Sequence, residues 1–527
     1  MVGKFRPGRE QGLEVGIEER EDAKQNAKTS SLHFDSCDAT SLSSRLLCLF
    51  SFDQGRSNGF GFQLSPDGRW AVDPFFGPGT GLQLRSVSLR SKEVALVSAQ
   101  LPAGQDVGGR TFMPFEFVFR ISADSSRVLY AADQDTDDVL ELYSAPIDGR
   151  RSPVRLNPPF SDTRDLFLTD YQPAFEIDAG NTRAVYLANQ DQVDRVELYS
   201  VPIDGGTSVR LHPALGAWQN VRSFALAPDG GHVLYVADSN TVQQFELFSV
   251  PIGGGAAPVR LNGPLAGRAD VGGQNPDRLS RQIAFVPAGR VVYRLDRDVD
   301  EYYQLFNAPI DGTSAPVELP RLDPSENVEP ECVSALAGAR IVYLSTRRGS
   351  ANPARELYSV ASDGSAPPVR LNGPLVPLGN VGPSFGAPGE IFRLAAGDTR
   401  AVYIAEERRR FQQDLFSVPV DRSDAPVRLN DVPEPSQVLP GEFGLSPDGQ
   451  QVFFRIERRL YLVPVDGSAA PILVFDALTQ SSDPFGIQLT SGATRALFLA
   501  DPEVPDRVEL YAGLLGQPPR LPGLGQR

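Results

Sequence analysis

The sequence predicts an all-β fold, a single propeller of about nine four-stranded blades, with eight as the alternative count. Three observations carry that expectation: a repeated phrase, a period near 50 residues, and short strand signals punctuated by regular turns. The phrase opens Glu141-Leu142-Tyr143-Ser144-Ala145-Pro146-Ile147-Asp148-Gly149 and closes Pro153-Val154-Arg155-Leu156-Asn157. Edited copies run from Glu197 to Leu211, Glu246 to Asn262, Glu356 to Asn372 and Asp414 to Asn430. The anchors Leu142, Leu198, Leu247, Leu305, Leu357, Leu415, Leu460 and Leu510 are spaced by 56, 49, 58, 52, 58, 45 and 50 residues, and a fainter copy at Leu84 adds an interval of 58. Helical solenoid repeats run roughly 33 to 47 residues and carry long apolar stripes. This chain has no such stripes.

Each unit reads as four short strands. In the second unit, Phe115 to Ile121 alternates apolar and polar residues, and Arg127 to Ala131 is an apolar β-favouring run. An acidic loop follows, then Leu142 to Ile147, a turn, and Val154 to Leu156. Strands of about 4 to 8 residues bounded by Gly, Pro, Asp and Asn are the all-β signature. The turns Ser65-Pro66-Asp67-Gly68, Ala227-Pro228-Asp229-Gly230 and Ser446-Pro447-Asp448-Gly449 separate first and second strands. Proline there sets the first turn position and glycine accepts positive φ. Ile147-Asp148-Gly149 and its copies at Ile203 and Val465 separate the last two strands. Because neither face of Leu142 to Ile147 is strongly polar, these sheets need cover on both sides, which radially stacked blades supply. Pro146, Pro202, Pro251, Pro309, Pro419 and Pro464 cannot donate to a ladder and mark strand ends. The recurring Tyr130, Tyr186, Tyr235, Tyr293, Tyr343 and Tyr403 read as core.

The Ser-Pro-Asp-Gly turn and the Leu-Tyr-x-x-x-x-Asp-Gly segment resemble the TolB-like propeller repeats, also called PD40 or WD40-like, over residues 58 to 525. Ser122-Ala123-Asp124-Ser125 and Ala179-Gly180-Asn181 depart from the turn. The resemblance implies a propeller. It leaves function open between binding or scaffold proteins and the propeller domains of prolyl oligopeptidase-like enzymes. It also implies a periplasmic or extracellular setting, although residues 1 to 43 show no secretory signal. The propeller is assigned to 58–527, and 1–57, rich in charged and small polar residues, to a disordered tail. The first and last units each span four strands, from Phe60 to Val97 and from Gly486 to Leu521, and ring closure recruits Leu46 to Phe50 as an outer strand on the last blade.

The formal charge of −16, from 50 basic and 66 acidic residues, argues against generic nucleic-acid binding, which needs a basic footprint. No apolar run approaches the roughly 20 residues of a membrane span. Cys37, Cys48 and Cys332 are too scattered for a disulfide scaffold or a thiolate zinc site. The sequence sets no oligomeric state.

Gly382-Pro383-Ser384-Phe385-Gly386 matches a nucleophile elbow, but that motif needs a strand-turn-helix and a later histidine. His33, His212 and His232 all precede it. The acidic loops between second and third strands are the metal candidates: Asp133, Asp135 and Asp137 in one, Asp296, Asp298 and Asp300 in another. Alternating aspartates suit a hard cation such as calcium, which takes six to eight oxygens. The first loop begins like an EF-hand and then departs, with Asp138 at position six and Ser144 at position twelve. Solvated loop tips are the plainer account. These loops share a face with the blade connections and should make it negative, with Arg408, Arg409 and Arg410 as the one dense basic cluster. Arg155, Arg210, Arg260, Arg370 and Arg428 are expected to pair with the acidic residue opening each third strand.

With no catalytic set and no required cofactor, the expected role is a non-catalytic interaction module that binds a protein or peptide through loops on one face. The alternatives are a calcium-dependent hydrolase or lyase at the channel mouth, using Asp133, Asp135, Asp298 and Asp300, or a propeller partner of a separately encoded enzyme.

Overall fold

The computed structural model describes residues 46–51, 62–77, 79–109, 118–161, 164–167, 174–272, 279–322, 324–335, 337–347, 353–383, 391–395, 397–432, 437–438, 441–446, 448–457, 459–476, 485–489, 495–500 and 509–514. They form nine antiparallel four-stranded sheets, blades 1 to 9 of a propeller. The blades span 63–96, 119–155, 175–210, 221–260, 283–318, 326–370, 392–428, 443–476 and, last, 485–514 together with Leu46–Ser51. The one helix among the described residues is the single turn Leu279–Gln282. In blade 2 the strands are Phe119–Ile121, Arg127–Ala132, Glu141–Pro146 and Val154–Arg155, paired in chain order from the inner edge outward.

Ring closure runs through the N-terminal side of the chain. Leu46–Ser51 pairs antiparallel with Glu509–Leu514 as the outermost strand of blade 9, as its apolar run leads one to expect. That strand falls on the tail side of the boundary drawn at residue 57, so the stretch 1–57 is not wholly outside the propeller. It also supplies the fourth strand that the sequence reading placed near Leu521, which lies outside the described residues. Residues 1 to 45 lie outside them as well.

Stacking of neighbouring blades makes the core. Every described cluster of buried apolar side chains joins two consecutive blades: Val72, Leu84, Val128 and Tyr130 between blades 1 and 2, for example, and Leu234, Leu247, Val291 and Tyr293 between blades 4 and 5. The recurring tyrosines are core, as expected, and each lies against the aromatic residue opposite it in the third strand. Tyr130–Tyr143, Tyr186–Tyr199 and Tyr235–Phe248 have centroids 5.5, 5.4 and 5.2 Å apart, the offset geometry that aromatic pairs prefer. The departing turns keep the shape of the others, since Ser125 and Asn181 take φ of 61° and 55° where Gly68 takes 67°. The expected ion pairs form: Arg155–Glu141 at 3.5 Å, Arg210–Glu197 at 3.4 Å, Arg260–Glu246 at 2.8 Å, Arg370–Glu356 at 3.0 Å and Arg428–Asp414 at 3.6 Å.

Two sets of side chains satisfy backbone groups that the sheets leave over. The first caps the third strand from the fourth: Asn157, Asn262, Asn372 and Asn430 accept the N–H of Leu142, Leu247, Leu357 and Leu415 at 2.7 to 3.1 Å. In blade 3 the same place is held by His212, whose Nε2 accepts the N–H of Leu198 at 3.2 Å while Nδ1–H donates to the Pro213 carbonyl at 2.7 Å. Burial holds this imidazole neutral and depresses its pKa to about 4.

The second set clamps each blade to the next. In the connection that enters a new blade, an Asp or Asn accepts the N–H at the start of the previous blade's third strand: Asp106 from Leu82, Asp165 from Leu140, Asn220 from Val196, Asp270 from Phe245, Asn327 from Tyr303 and Asn380 from Arg355. The next residue donates its own N–H back to the same third-strand position, as Val107 does to Leu82, Val221 to Val196 and Val271 to Phe245. In four junctions the clamp's N–H is itself held by a residue late in the new blade's second strand or just after it. Asp106 donates to Asp133, Asp165 to Asn189, Asn220 to Asp238 and Asp270 to Asp296.

Two expected outcomes follow from the caps and clamps. His212 takes up a proton in the unfolded chain below its ordinary value of 6.5 but only near 4 in the fold. Its contribution to stability is therefore complete above 6.5 and lost as pH falls toward 4, by about 3 kcal/mol across that window. His212→Asn restores the cap used elsewhere and should flatten the pH dependence of the urea midpoint between pH 4 and 6.5. Asp270 behaves oppositely, because burial, with Asp296 nearby, raises it to about 6. Its contribution is present below the ordinary 3.8 and lost as pH rises through 6. Asp270→Asn, the residue found at 220, 327 and 380, should match or exceed the parent melting temperature at pH 8, whereas Asp270→Ala strands the Phe245 N–H and should cost about 1–3 kcal/mol.

Candidate functional site

The clamps place the connections between blades and the loops between second and third strands on one face. That face is the candidate site. Its electrostatics vary around the ring. In blades 2 to 5 the hairpin ends 133–138, 189–195, 238–243 and 296–301 carry eleven acidic residues against two arginines, Arg195 and Arg297. In blade 7 the equivalent loop ends in Arg408, Arg409 and Arg410, with Arg410 over the exposed ring of Phe411 at 4.5 Å. The negative face expected from the sequence is thus an acidic sector.

The six aspartates singled out from the sequence fall on two loops, in blades 2 and 5, and most carry structural duties. Asp133 is fully buried and gives one oxygen to Asp106 N–H and the other to Asp138 N–H. Asp296 is its counterpart, accepting from Asp270 and from Glu301. Asp135 pairs with Arg155 at 2.6 Å, and Asp300 lies 3.9 Å from Arg268. Asp298 lies in the strand Arg290–Val299. Asp137 is exposed and meets Asp133 and Asp138, one oxygen from each of the three lying within 4.8 Å of the others. Asp138 takes φ of 63°, the left-handed turn that a glycine would otherwise supply.

Burial pushes Asp133 up from its ordinary value, and Asp270 and Asp296 up to about 6. A carboxylate near 6 has the pKa of a general base. Asp296, however, gives both oxygens to backbone N–H groups, and neither Asp270 nor Asp296 opens to solvent. Their shifts belong to the clamp.

At the inner edges of the sheets, Arg120 of blade 2 faces Glu176 of blade 3 at 3.6 Å, and Arg455 pairs with Glu442 inside blade 8. Desolvation raises Glu176 despite the arginine beside it. Arg294 lies 4.0 Å above the Tyr303 ring and donates to the Val328 carbonyl at 3.0 Å, tying blade 5 to blade 6. His232 joins Asp229 in a hairpin turn at 3.0 Å. His212 is the cap described above. Ser384 of the elbow motif, His33 and Cys37 lie outside the described residues.

Sequence reasoning missed the clamp. Its signal is an Asp or Asn followed by Val or Leu at the entry to six blades: Asp106-Val107, Asp165-Leu166, Asn220-Val221, Asp270-Val271, Asn327-Val328 and Asn380-Val381. The second residue of each pair is buried. This dipeptide recurs at six junctions and marks where blades 2 to 7 begin, while Gln437-Val438 stands in its place before blade 8.

No protein-family model and no curated protein matches the chain. Solved structures do. Dipeptidyl peptidase 4 of Porphyromonas gingivalis is similar over 85% of this chain and 65% of its own, with a TM-score of 0.51 and 10% identity. A puromycin-hydrolysing peptidase of Mycobacterium tuberculosis is similar over 74% and 59%, with a TM-score of 0.40 and 16% identity. An oligogalacturonate lyase of Vibrio parahaemolyticus is similar over 90% and 96%, with a TM-score of 0.40 and 10% identity. The chain spans about 59% of the length of the puromycin-hydrolysing peptidases it matches. Dipeptidyl peptidase 4 is an enzyme, and this likeness overturns the expectation of a non-catalytic module that binds a protein or peptide through its loops. That expectation rested on the acidic loops, the missing catalytic motifs and the resemblance to TolB-like repeats, and a propeller shared with an enzyme does not support it. At these identities the likeness establishes the propeller fold.

Proposed function

We propose that this propeller works in hydrolysis, as the ring that receives substrate in a peptidase-type enzyme, with the acidic sector of blades 2 to 5 on the receiving side. The observation that carries the reading is the likeness to dipeptidyl peptidase 4 over 85% of the chain. The electrostatics add to it, because a one-signed mouth concentrates substrates of the opposite charge. Membership in the TolB-like repeat family is part of the same proposal and rests on the Ser-Pro-Asp-Gly and Leu-Tyr-x-x-x-x-Asp-Gly segments. The check is turnover. Purified chain is incubated with peptides of equal length that carry lysine, no charge or glutamate, and products are read by mass spectrometry. Cleavage is expected with the lysine peptides first, at a rate proportional to chain concentration; three uncleaved sets would end the reading.

A second reading makes the hydrolysis metal-dependent and centres it on Asp133, Asp137 and Asp138, whose oxygens converge within 4.8 Å. Three carboxylates are a donor set for a hard divalent cation, which would polarise water for attack. Asp133 would serve through lone pairs not taken by the two N–H groups. On this reading EDTA abolishes turnover, calcium raises the melting temperature by mass action, and the double variant Asp137→Asn/Asp138→Asn loses both effects while keeping the parent melting temperature in EDTA. An unchanged melting curve with millimolar calcium would assign the cluster to solvated loop tips.

A further inference from the structure

Trp218 is the most exposed large apolar side chain among the described residues, at 84%, and it sits on the acidic sector. Its backbone is held in the left-handed region at φ 67°, which is uncommon for any residue but glycine and costly for a bulky one. The conformation is imposed from both sides. Asn220, two residues on, clamps Val196 of blade 3 and donates to Asp238 of blade 4, while the Gln219 amide donates to the Ser239 carbonyl at 2.8 Å. Trp218 is therefore fixed on a rigid strap between the tips of blades 3 and 4. Those tips are also apolar and exposed: Val193 at 48% and Val242 at 46%.

Equivalent positions around the ring, two residues before the clamp, hold Gly104, Arg268, Ser325 and Leu378. The indole is thus not required by the repeat. On either side of it the exposed tips are anionic, with Asp137 and Asp138 on blade 2, Asp194 beside Val193, and Asp300 and Glu301 on blade 5. Arg195 and Arg268 are the nearby cations, and Arg268 is drawn toward Asp300. An indole face attracts ammonium and guanidinium groups within about 6 Å. Flanking valines suit the methylene stems that lysine and arginine lay along apolar surface. Carboxylates on both sides favour the same charge over longer range.

We propose that Trp218, with Val193 and Val242, is the docking surface that selects a cationic peptide as substrate, the basic side chain lying over the indole and its neighbours reaching the carboxylates of blades 2 and 5. The word substrate rests on the hydrolytic reading above; the docking does not.

The test uses the chain's own fluorescence. It has two tryptophans, and Trp70 is half-buried against the core between blades 1 and 2. A hexapeptide rich in lysine and arginine should quench and blue-shift the Trp218 emission saturably, half a molar sodium chloride should weaken the effect at least tenfold, and the glutamate counterpart should leave emission unchanged. With a dye-labelled basic peptide followed by anisotropy, Trp218→Ala should bind at least tenfold more weakly at an unchanged melting temperature, and Trp218→Phe should fall between. Emission of Trp218 unmoved by the basic peptide, or equal affinity in Trp218→Ala, would overturn the proposal. So would a parent chain that elutes as a dimer beside a monomeric Trp218→Ala, since the patch would then belong to a second copy. Mass spectrometry of the same mixtures separates the two readings. Binding without cleavage sinks hydrolysis and leaves the docking surface standing, whereas cleavage of a basic peptide that never perturbs Trp218 does the reverse.

Discussion

The blade-to-blade clamp is the constraint from which the rest of this ring follows. A third strand begins with an N–H and a carbonyl that its own sheet does not use, and buried backbone groups of that kind must find partners. At six junctions the partner is the next connection: an Asp or Asn side chain takes the N–H, and at most of them the residue after it returns a bond to the carbonyl. Because the two bonds come from consecutive residues, the connection cannot slide along the strand. The buried Val or Leu of the pair then enters the next blade at a fixed height, and the stacked tyrosines and interblade apolar clusters are placed by that entry.

This accounts for how much of the molecule the sequence discloses. Blade number, turn positions, the buried tyrosines and the Arg–Glu pairs were all legible, because each recurs in a strand or hairpin of nearly constant length. The clamp was not, since it lies in connections of uneven length where hydrophobic periodicity has nothing to report. The same blind spot hid a structural duty of two of the candidate metal ligands. Asp133 and Asp296 looked like members of acidic metal loops, yet they hold the clamp of their own blade. Asn189 performs the same duty in blade 3, and an asparagine there is a poor substitute for a metal carboxylate. Ring closure was legible for a different reason: Leu46 to Phe50 is an apolar run with no repeat of its own, and a propeller leaves one edge strand to be supplied.

Blade 5 shows what happens when the repeat is edited. Gln304 replaces the glutamate that opens the third strands of blades 2, 3, 4 and 6, and Glu318 replaces their fourth-strand arginine. The acid of the pair has moved outward to Glu318, where Arg297 and Arg321 meet it at 2.6 and 2.5 Å. Gln304 keeps one bond, from its amide to the Tyr302 carbonyl, and its Oε1 is left buried without a partner in the chain. It lines a small enclosed space with Tyr303, Leu319 and Tyr343, a position where an ordered water would satisfy it. The ion pair is thus interchangeable in kind but not in number: wherever a charge moves, its partner moves too, as the cost of an unpaired buried charge requires.

A repeat protein separates architecture from function by its own symmetry. A residue present at the same place in blade after blade answers to the fold, which every blade must satisfy; a residue present once has no such obligation. By that criterion the buried acids of the clamp, the asparagine caps with their one histidine, and the outer-strand arginines belong to architecture, however strongly burial perturbs their pKa values. Trp218 and Arg410 do not recur and stand at the loop face. Folds of this kind are shared by enzymes of unrelated chemistry, so the ring alone cannot name a reaction. What can name it is the part of the face where the repeat is broken, and that part is acidic on blades 2 to 5, apolar at Trp218 and basic on blade 7.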